Sequence, residues 1–461
     1  MNIFFINPPS DKKRIIRLID CSHEAKANYL WQPNDYMIMS SILGNDDKAY
    51  LIDGTADRMS KNEFLKRLNQ NVEPHLIIYA LSSVFWTSDL FYFNEIKKLF
   101  PNIPIYVIGD IFLEKEYQDY ILGQCEGIIS IPHIINFKKM AAKEKNIPGI
   151  QTEIDQIIHK NNTPIKVNNF GIPKHDIFLK SGYVFPFAQH KKFTTITSVW
   201  GCPFTCSYCT DSKIAPVIRD VDSVIKELEY IKKLNIKELF FADKAFGYPY
   251  SNAYLILQIL KTKFRFSWSC YFHPQLYKQD LLKLMKDAGC HTIIIGIDSQ
   301  NLDSLKQYKR NVQTKKLEDL IYHANDLKIN VCADFILGLE HETEQDVINT
   351  VEYSLKLPLD FASFNIAAPL PGSDIRKKAF GDGTMKFGEE GFDTLGFGGV
   401  LGNKNIKKDK LIELRDMAVK KFYFRWSYFL RRILRTKSFE HFIIQLKEMI
   451  FLFRNVCNRE L

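Results

Sequence analysis

Several features that would place this chain of 461 residues in a familiar class are missing from its sequence. No run reaches the roughly 18 uninterrupted apolar residues that a membrane-spanning helix needs. The apolar start, Met1–Pro9, lacks a basic segment, so we expect no signal peptide and a cytoplasmic location. The nine cysteines show no paired spacing outside one loop, and an odd number in such a pattern suits a reducing compartment.

Most of the chain also lacks an excess of positive or negative charge. The net charge is +9, but from Lys404 to Leu461 fifteen Lys and Arg residues stand against six Asp and Glu residues. The residues before Lys404 therefore balance to about zero, and we expect no nucleic-acid function for the body of the protein. Apolar content near the globular average excludes a disordered chain, and the length predicts two domains and a tail.

The first third of the sequence alternates apolar, β-rich segments with helical ones. This alternation predicts an α/β domain over residues 1–137 with a doubly wound, Rossmann-like parallel sheet, whose ligands bind beyond the carboxyl ends of the strands. Polar or glycine residues at those ends, among them Ser82, Ser83 and Gly109, are candidate cofactor contacts, although such residues also make ordinary turns. The predicted strands are Asn2–Ile6, Lys48–Asp53, His75–Leu81, Ile105–Ile108 and Gly127–Ile131.

A second run of strands follows a segment that prolines and glycines interrupt. We interpret that segment, residues 138–192, as a linker. Six βα units beyond it predict a partial (β/α)6 barrel over residues 193–372, with functional residues at the carboxyl ends of its strands. Residues 373–461 are predicted to form a helical, basic C-terminal region. The predicted barrel strands are Thr194–Trp200, Glu238–Ala242, Phe266–Tyr271, Thr292–Ile297, Val331–Leu337 and Phe361–Ala368.

Three cysteines form a CxxxCxxC array in the loop after the first barrel strand: Cys202, Cys206 and Cys209. Thiolates from a short loop hold iron–sulfur clusters, and three thiolates leave one iron of a [4Fe–4S] cluster open to a small molecule. A structural zinc site would need a fourth ligand, and the next cysteine, Cys270, lies 61 residues further on. The array therefore favours a cluster over zinc.

This array, with Tyr208 before its third cysteine, resembles the signature of the radical S-adenosylmethionine (SAM) superfamily. The Rossmann-like domain ahead of it resembles the cobalamin-binding members of that superfamily. The histidine of a DxHxxG motif, which marks many cobalamin domains, is absent here. The resemblance implies a [4Fe–4S] cluster, SAM and cobalamin as cofactors, with the cluster on the three cysteines.

Further residues are assigned to SAM by the resemblance alone. Asp243, which ends the second barrel strand, matches the position that meets the SAM amino group, and Lys244 follows it where the family often has Asp or Asn. The segment Gly296-Ile297-Asp298-Ser299 resembles the family's Gly-x-Glu-Ser, with the shorter Asp in place of Glu. The segment around Ile336 and Gly338 resembles the turn whose strand lines adenine, and Thr343 is a helix cap.

By the same resemblance the chain is a radical SAM enzyme that reductively cleaves SAM, within a group of cobalamin-dependent methyltransferases acting on unactivated carbon. Two alternatives remain: a radical enzyme that cyclises, rearranges or dehydrogenates its substrate without methyl transfer, and a non-catalytic iron–sulfur or corrinoid-binding protein. A reductant of the flavodoxin or ferredoxin type is implied. We expect a small-molecule, lipid or saccharide substrate, and the sequence does not choose among these classes.

Three other features have simpler interpretations. We expect His273, at the end of a strand before a proline, to be structural, and Cys270, Cys290 and Cys332 to be inert core thiols. The basic, aromatic segment from Lys421 to Arg435 predicts either a helical cap on the barrel or peripheral membrane contact, and we favour the cap.

Overall fold

The computed structural model describes most of the chain as two parallel sheets with their helices. The described residues are 1–10, 14–18, 29–69, 72–154, 164–168, 170–180, 182–392, 394, 401–436, 438, 441–447 and 449–450. The predicted α/β class, with a doubly wound first sheet, a partial barrel and a helical C-terminal region, is confirmed.

The first sheet has the strand order β2-β1-β3-β4-β5-β6. All its neighbouring strands pair in parallel except β5 and β6, which pair antiparallel. Strand β6 comes from the segment predicted as linker. Its strands are β1 Asn2–Asn7, β2 Lys48–Asp53, β3 Leu76–Ala80, β4 Ile105–Ile108, β5 Gly127–Ile129 and β6 Ile150–Gln151. Its helices are α1 Asn34–Ser40, α2 Lys61–Leu68, α3 Trp86–Leu99, α4 Lys115–Leu122 and α5 Phe137–Ala141.

The second large sheet is parallel throughout, in the order β15-β14-β13-β12-β11-β8. Its strands are β8 Phe193–Ile196, β11 Glu238–Phe241, β12 Ser267–Tyr271, β13 Cys290–Asp298, β14 Asn330–Leu337 and β15 Phe361–Ile366. The helices that follow these strands are α6 Val221–Lys233, α7 Tyr250–Lys263, α8 Gln279–Asp287, α9 Leu302–Gln307, α10 Thr314–Asp326, α11 Glu344–Lys356 and α12 Asp374–Gly381.

The first barrel strand is shorter than the sequence predicts, because the chain leaves the sheet after Ile196. The N–H of Ser198 donates to the carboxylate of Asp243 at 2.7 Å, and the carbonyl of Ser198 accepts from Arg219 at 3.1 Å. The chain then enters a small sheet made of β7 Ile165–Val167, β10 Val217–Arg219 and β9 Val199–Trp200. This turn brings the cysteine loop over the mouth of the barrel.

A continuous aromatic core joins the first sheet to the barrel interior. Trp31, ahead of α1, packs with its ring centroid 5.4 Å from that of Phe240 on β11. Phe185, from the segment between the sheets, packs against the same ring with the centroids 4.5 Å apart and the planes tilted by 30°. Since aromatic pairs at these distances pack as in protein interiors, the two sheets share one hydrophobic cluster.

Two helices after the barrel, α13 Lys408–Tyr423 and α14 Trp426–Arg435, lie beside its last strand. The hydroxyl of Tyr423 donates to the carbonyl of Ala362 on β15 at 2.7 Å, which attaches α13 to the sheet. Residues 441–447 and 449–450 are also helical. None of the described helices combines the length and the apolar character that crossing a bilayer requires.

Candidate active site

A cavity of about 1100 Å³ extends from the cysteine loop through the barrel interior to the C-terminal helices. Most of its wall is aromatic or aliphatic, with contributions from Trp31, Phe187, Phe364 and Tyr428. Functional side chains at the carboxyl ends of the barrel strands open into it, as expected for a βα barrel. Tertiary packing has thus made one apolar chamber from three parts of the chain that are distant in sequence.

The cysteine loop is held in place by backbone hydrogen bonds. Gly201 has φ +84°, and a Cβ there would lie 2.6 Å from the carbonyl oxygen of Ala215, so only glycine fits without a shift. The hydroxyl of Ser212 donates to the carbonyls of Cys206 and Cys209, both at 2.7 Å. The N–H of Ser207 donates to the carbonyl of Tyr308 at 2.9 Å. The loop is therefore preorganised by its surroundings.

All three cysteines line the cavity. Burial raises the pKa of the Cys202 thiol, and the neighbouring Cys209 and Cys206 raise it further. Burial also raises the pKa of Cys206 to about 11, so ligation requires iron to displace the proton. Among the described residues, no three Cys, His, Asp or Glu side chains converge tightly enough for a single metal ion. Cluster thiolates bind separate irons and need not converge in that way, so the donor set fits a [4Fe–4S] cluster.

A polar cluster stands on the cavity wall beside the cysteines. Asp298, at the end of β13, accepts hydrogen bonds from the Tyr208 hydroxyl at 2.9 Å and from Arg310 Nε at 2.6 Å. Arg310 Nη2 donates to the carbonyl of Gly296 at 2.6 Å. All four residues line the cavity. Asp298 adopts φ +67°, an uncommon backbone conformation for a residue other than glycine, and such outliers are frequent at functional sites.

Arg310 is the main site residue that the sequence analysis missed. Its guanidinium is buried, and the Asp298 carboxylate raises its pKa against the opposing effect of burial. It also contacts His273 Nε2, while His273 stacks on Phe204 of the cysteine loop with ring centroids 3.5 Å apart. His273 accepts from the N–H of Gln275 at 3.2 Å, as a structural residue would, but it also lines the cavity. No sequence signal pointed to Arg310, because it follows the short helix α9 rather than a strand.

Ile336 lines the cavity on β14, whereas Ser299 and Gly338 lie behind the wall. The Ser299 hydroxyl donates to the carboxylate of Glu342, which also accepts from the N–H of Gly338 at 2.8 Å and of Leu339 at 3.0 Å. These bonds tie the ends of β13 and β14 together. Ser299 and Gly338 are therefore placed to support the site from behind, and their assignment to SAM stays a prediction.

Asp243 is also placed behind the wall. It is fully buried, and its carboxylate accepts from the N–H and the hydroxyl of Ser198. Burial raises the pKa of Asp243 to about 6. Lys244, the next residue, faces the cavity instead, with its Nζ 3.4 Å from the Asp211 carboxylate. The assignment of Asp243 to the SAM amino group thus stays a prediction.

The candidate residues of the first sheet lie at its carboxyl edge and are packed tightly. The Ser82 hydroxyl donates to Asp89 at 2.8 Å, and Ser83 pairs with Asp110 at 3.2 Å. A Cβ on Gly109 would lie 2.0 Å from the carbonyl oxygen of Leu81. Buried Arg17 lies across the same edge, with its Nε 2.9 Å from Asp89. A ligand could therefore lie over this edge but not between its side chains.

The carboxyl edges of the two sheets face each other. Glu114, which follows β4 of the first sheet, accepts from the N–H of Gly372 at 2.6 Å and pairs with Arg376 Nε at 3.3 Å. Both partners follow β15 of the barrel. The N–H of Thr87 at the start of α3 donates to Glu390 at 2.7 Å. A flat cofactor held between the domains would meet both edges.

Comparison with known proteins agrees with this geometry. Residues 197–354 match the family model of the radical SAM superfamily. An uncharacterized methyltransferase of Pyrococcus horikoshii is 23% identical over 96% of this chain and 96% of its own length. The bacteriochlorophyllide d C-12(1)-methyltransferase of Chlorobaculum tepidum is 24% identical over 49% of this chain and 50% of its own length.

Solved structures share the whole architecture. The radical SAM methyltransferase TsrM from Kitasatospora setae, with cobalamin and a [4Fe–4S] cluster bound, superposes with a TM-score of 0.64 at 13% identity, over 83% of this chain and 75% of its own. The cobalamin-dependent radical SAM enzyme OxsB, with aqua-cobalamin and SAM bound, superposes with a TM-score of 0.62 at 14% identity, over 98% of this chain and 72% of its own. At these identities the likeness establishes the fold. The barrel region thus carries a domain that matches the radical SAM superfamily over residues 197–354, and the fold of the chain is similar to that of these solved cobalamin-dependent radical SAM enzymes.

Proposed function

We propose that this protein is a cobalamin-dependent radical SAM methyltransferase acting on an unactivated carbon. The observation that carries the proposal is the placement of Cys202, Cys206 and Cys209 on one wall of an apolar cavity, in a molecule whose two sheets face each other across their ligand-binding edges. The relative from Pyrococcus horikoshii, which matches over nearly its full length, bears a methyltransferase name.

The three cysteines would hold the [4Fe–4S] cluster, and SAM would bind at its open iron. The chemistry supplied by a bound cluster is one-electron reductive cleavage of SAM. The protein's own contribution is to keep water away from the reacting atoms, which the aromatic wall does with Phe187, Phe364 and Tyr428. An electron donor of the flavodoxin or ferredoxin class would reduce the cluster.

The polar cluster would orient SAM beside the cysteines. The Asp298 carboxylate, held by Tyr208 and Arg310, offers a charged acceptor to the ammonium or ribose hydroxyls of SAM. Arg310 fixes that carboxylate because it also donates to the carbonyl of Gly296. The β14 backbone at Ile336 would border the adenine.

Cobalamin would lie between the facing edges, over Ser83 and the backbone of Gly109. The chemistry supplied by bound cobalamin is methyl transfer to the substrate. The side chains of Ser82 and Arg17 would support this surface from below, because both are engaged with Asp89. The substrate would occupy the part of the cavity toward the C-terminal helices.

A second candidate is a radical SAM enzyme that does not transfer a methyl group. The tight packing of the first-sheet edge, where Arg17 lies against Asn7 and Asp89, favours it. Such an enzyme would keep the first domain as a lid on the barrel and would bind no corrinoid.

Anaerobic assay of the reconstituted full-length protein with SAM, dithionite and hydroxocobalamin separates these candidates. We expect 5′-deoxyadenosine and S-adenosylhomocysteine by mass spectrometry, and corrinoid that remains bound after gel filtration. Cys206→Ala should abolish 5′-deoxyadenosine because it removes a cluster ligand.

Cys125→Ala is the matched control, since Cys125 is a half-buried thiol of the first domain outside the cluster loop. It should leave both products unchanged. Deoxyadenosine without S-adenosylhomocysteine or retained corrinoid would favour the second candidate. A protein with a full iron complement that never cleaves SAM would refute both.

A further inference from the structure

Helix α14 is oriented with its apolar residues toward solvent. Trp426 is 82% exposed and Leu434 is 84% exposed, and Leu430 and Ile433 are more than half exposed. On a helix these four positions lie within one face. We call them the outer stripe. A helix on the surface of a water-soluble protein normally turns such residues toward the core. An exposed apolar face of this kind indicates a surface that binds another apolar surface.

The arginines of α14 hold this orientation because they point toward the barrel. Arg431 donates to the carbonyl of Pro358 at 2.7 Å. Arg435 Nε pairs with the buried Asp360 carboxylate at 3.1 Å, and its Nη1 donates to Asn330 at 2.9 Å. Rotating the outer stripe inward would break these contacts and leave the buried Asp360 carboxylate without its Arg435 partner.

The outer stripe is continuous with the mouth of the cavity. Ile433 belongs to the outer stripe and also lines the cavity. Phe442, Met449 and Ile450 line the cavity as well, and each is more than 40% exposed. An apolar surface therefore runs without interruption from the outside of α14 into the chamber.

The surrounding sequence has the charge of a surface that binds anionic lipid. From Lys404 to Leu461, fifteen Lys and Arg residues outnumber six Asp and Glu residues. The arginines of α14 face the barrel, so exposed lysines supply the charge of this surface, among them Lys421 on α13 and Lys447 on the last described helix. Clustered basic residues next to apolar ones are attracted to anionic headgroups. A soluble protein partner would need acidic complementarity of its own, whereas an anionic bilayer supplies both the charge and the apolar medium.

We propose that α14 docks this protein on an anionic lipid bilayer, with the outer stripe inserted at the headgroup level and the cavity mouth opening toward the lipid. The ten-residue helix is too short to span a bilayer and would lie in the plane of the interface. The proposal rests on the surface of the C-terminal helices and is independent of the proposed reaction.

Trp426 provides a direct measurement, because the other four tryptophans of the chain are buried. The full-length reconstituted protein is mixed anaerobically with vesicles of phosphatidylglycerol and phosphatidylcholine in equal amounts, and binding is followed by flotation and by tryptophan emission. We expect flotation with the vesicles, a blue shift of the emission, and quenching by lipids brominated near the headgroup. Phosphatidylcholine vesicles alone, or high salt, should weaken binding.

The double variant Leu430→Ser, Leu434→Ser should weaken vesicle binding roughly 10-fold to 100-fold, because it removes two inserted side chains. Leu255→Ser is the matched control, since Leu255 is an exposed leucine on α7 of the barrel. It should bind as the unaltered protein does. Trp426→Phe should bind but lose the blue shift.

Three results would overturn the proposal. The first is no flotation of a correctly folded protein, and the second is binding that the double variant leaves unchanged. The third is a free protein whose Trp426 is already shielded from acrylamide, through a concentration-dependent dimer or through residues 451–461, which lie outside the described residues. Because no turnover is measured, loss of SAM cleavage would not affect the outcome.

Discussion

Buried carboxylates occupy the positions where the strand ends are tied together. Burial raises the pKa of Asp89 to about 6, that of Asp243 to about 6 and that of Glu342 to about 7. Each accepts several hydrogen bonds that favour the charged form, yet burial outweighs them. These groups therefore hold protons in the folded state at pH values where the unfolded chain has released them.

Glu342→Gln tests this effect. The folded pKa lies above the ordinary value of 4.5, so the stability that Glu342 contributes is present at low pH and is lost as the pH rises to about 7. A rise from 4.5 to about 7 corresponds to about 3 kcal/mol of folding free energy. The melting temperature of the unaltered protein, relative to that of Glu342→Gln, should fall as the pH rises from about 5 to about 7 and stay level above that.

The exposed neighbour Glu344 supplies the control. Glu344→Gln should give a difference in melting temperature that stays nearly flat over the same range. A flat difference for Glu342→Gln would mean that the carboxylate is ionised throughout, stabilised by the N–H groups of Gly338 and Leu339.

At the scale of elements, contacts of the flanking residues fix the position of the cysteine loop. The loop starts at Gly201, whose left-handed conformation and close approach to Ala215 leave no room for a side chain. Ser212 closes the other end through the carbonyls of Cys206 and Cys209. Spacing alone therefore does not position the three thiols.

Gly201→Ala should displace the loop, because its Cβ would lie 2.6 Å from the Ala215 carbonyl oxygen at φ +84°. We expect the iron bound after reconstitution to fall to less than half, with the cluster absorbance reduced in proportion and circular dichroism unchanged. Gly381→Ala is the control, since a Cβ on Gly381 would meet nothing within 4 Å. Equal iron content in the two variants would show that the loop adapts.

At the scale of the whole molecule, the two domains are joined where their ligand-binding edges meet. Glu114 of the first domain contacts Gly372 and Arg376 beyond the barrel, and Arg376 is almost fully buried. The shared aromatic core around Trp31 and Phe240 joins them again at the base of the cavity. Separating the two edges would require breaking the Glu114 contacts.

Glu114→Gln should weaken this junction by about 3 kcal/mol, because it leaves the Arg376 guanidinium buried without its counter-charge. Scanning calorimetry should show the main transition lowered by several degrees and the first domain unfolding ahead of the barrel. Glu116→Gln, on the exposed face of α4, should leave the transition unchanged. An unaltered, single transition in Glu114→Gln would show that the aromatic core alone holds the domains together.

The sequence by itself predicted the elements and the three cysteines that line the cavity. Strand and helix patterns are local, so alternation predicted both sheets, with most strand bounds within a few residues of those found. The spacing of Cys202, Cys206 and Cys209 is likewise local, because a short loop must bring those sulfurs together.

Only the tertiary structure decided which residues at the strand ends face the cavity. Asp298 opens into it, whereas Asp243 and Ser299 turn behind the wall, because hydrogen bonds to Ser198 and Glu342 hold them there. Tertiary structure also brought Arg310 to Asp298 and made α14 a wall of the chamber. These contacts join residues that are distant in sequence, and they depend on how whole elements pack rather than on any periodic pattern.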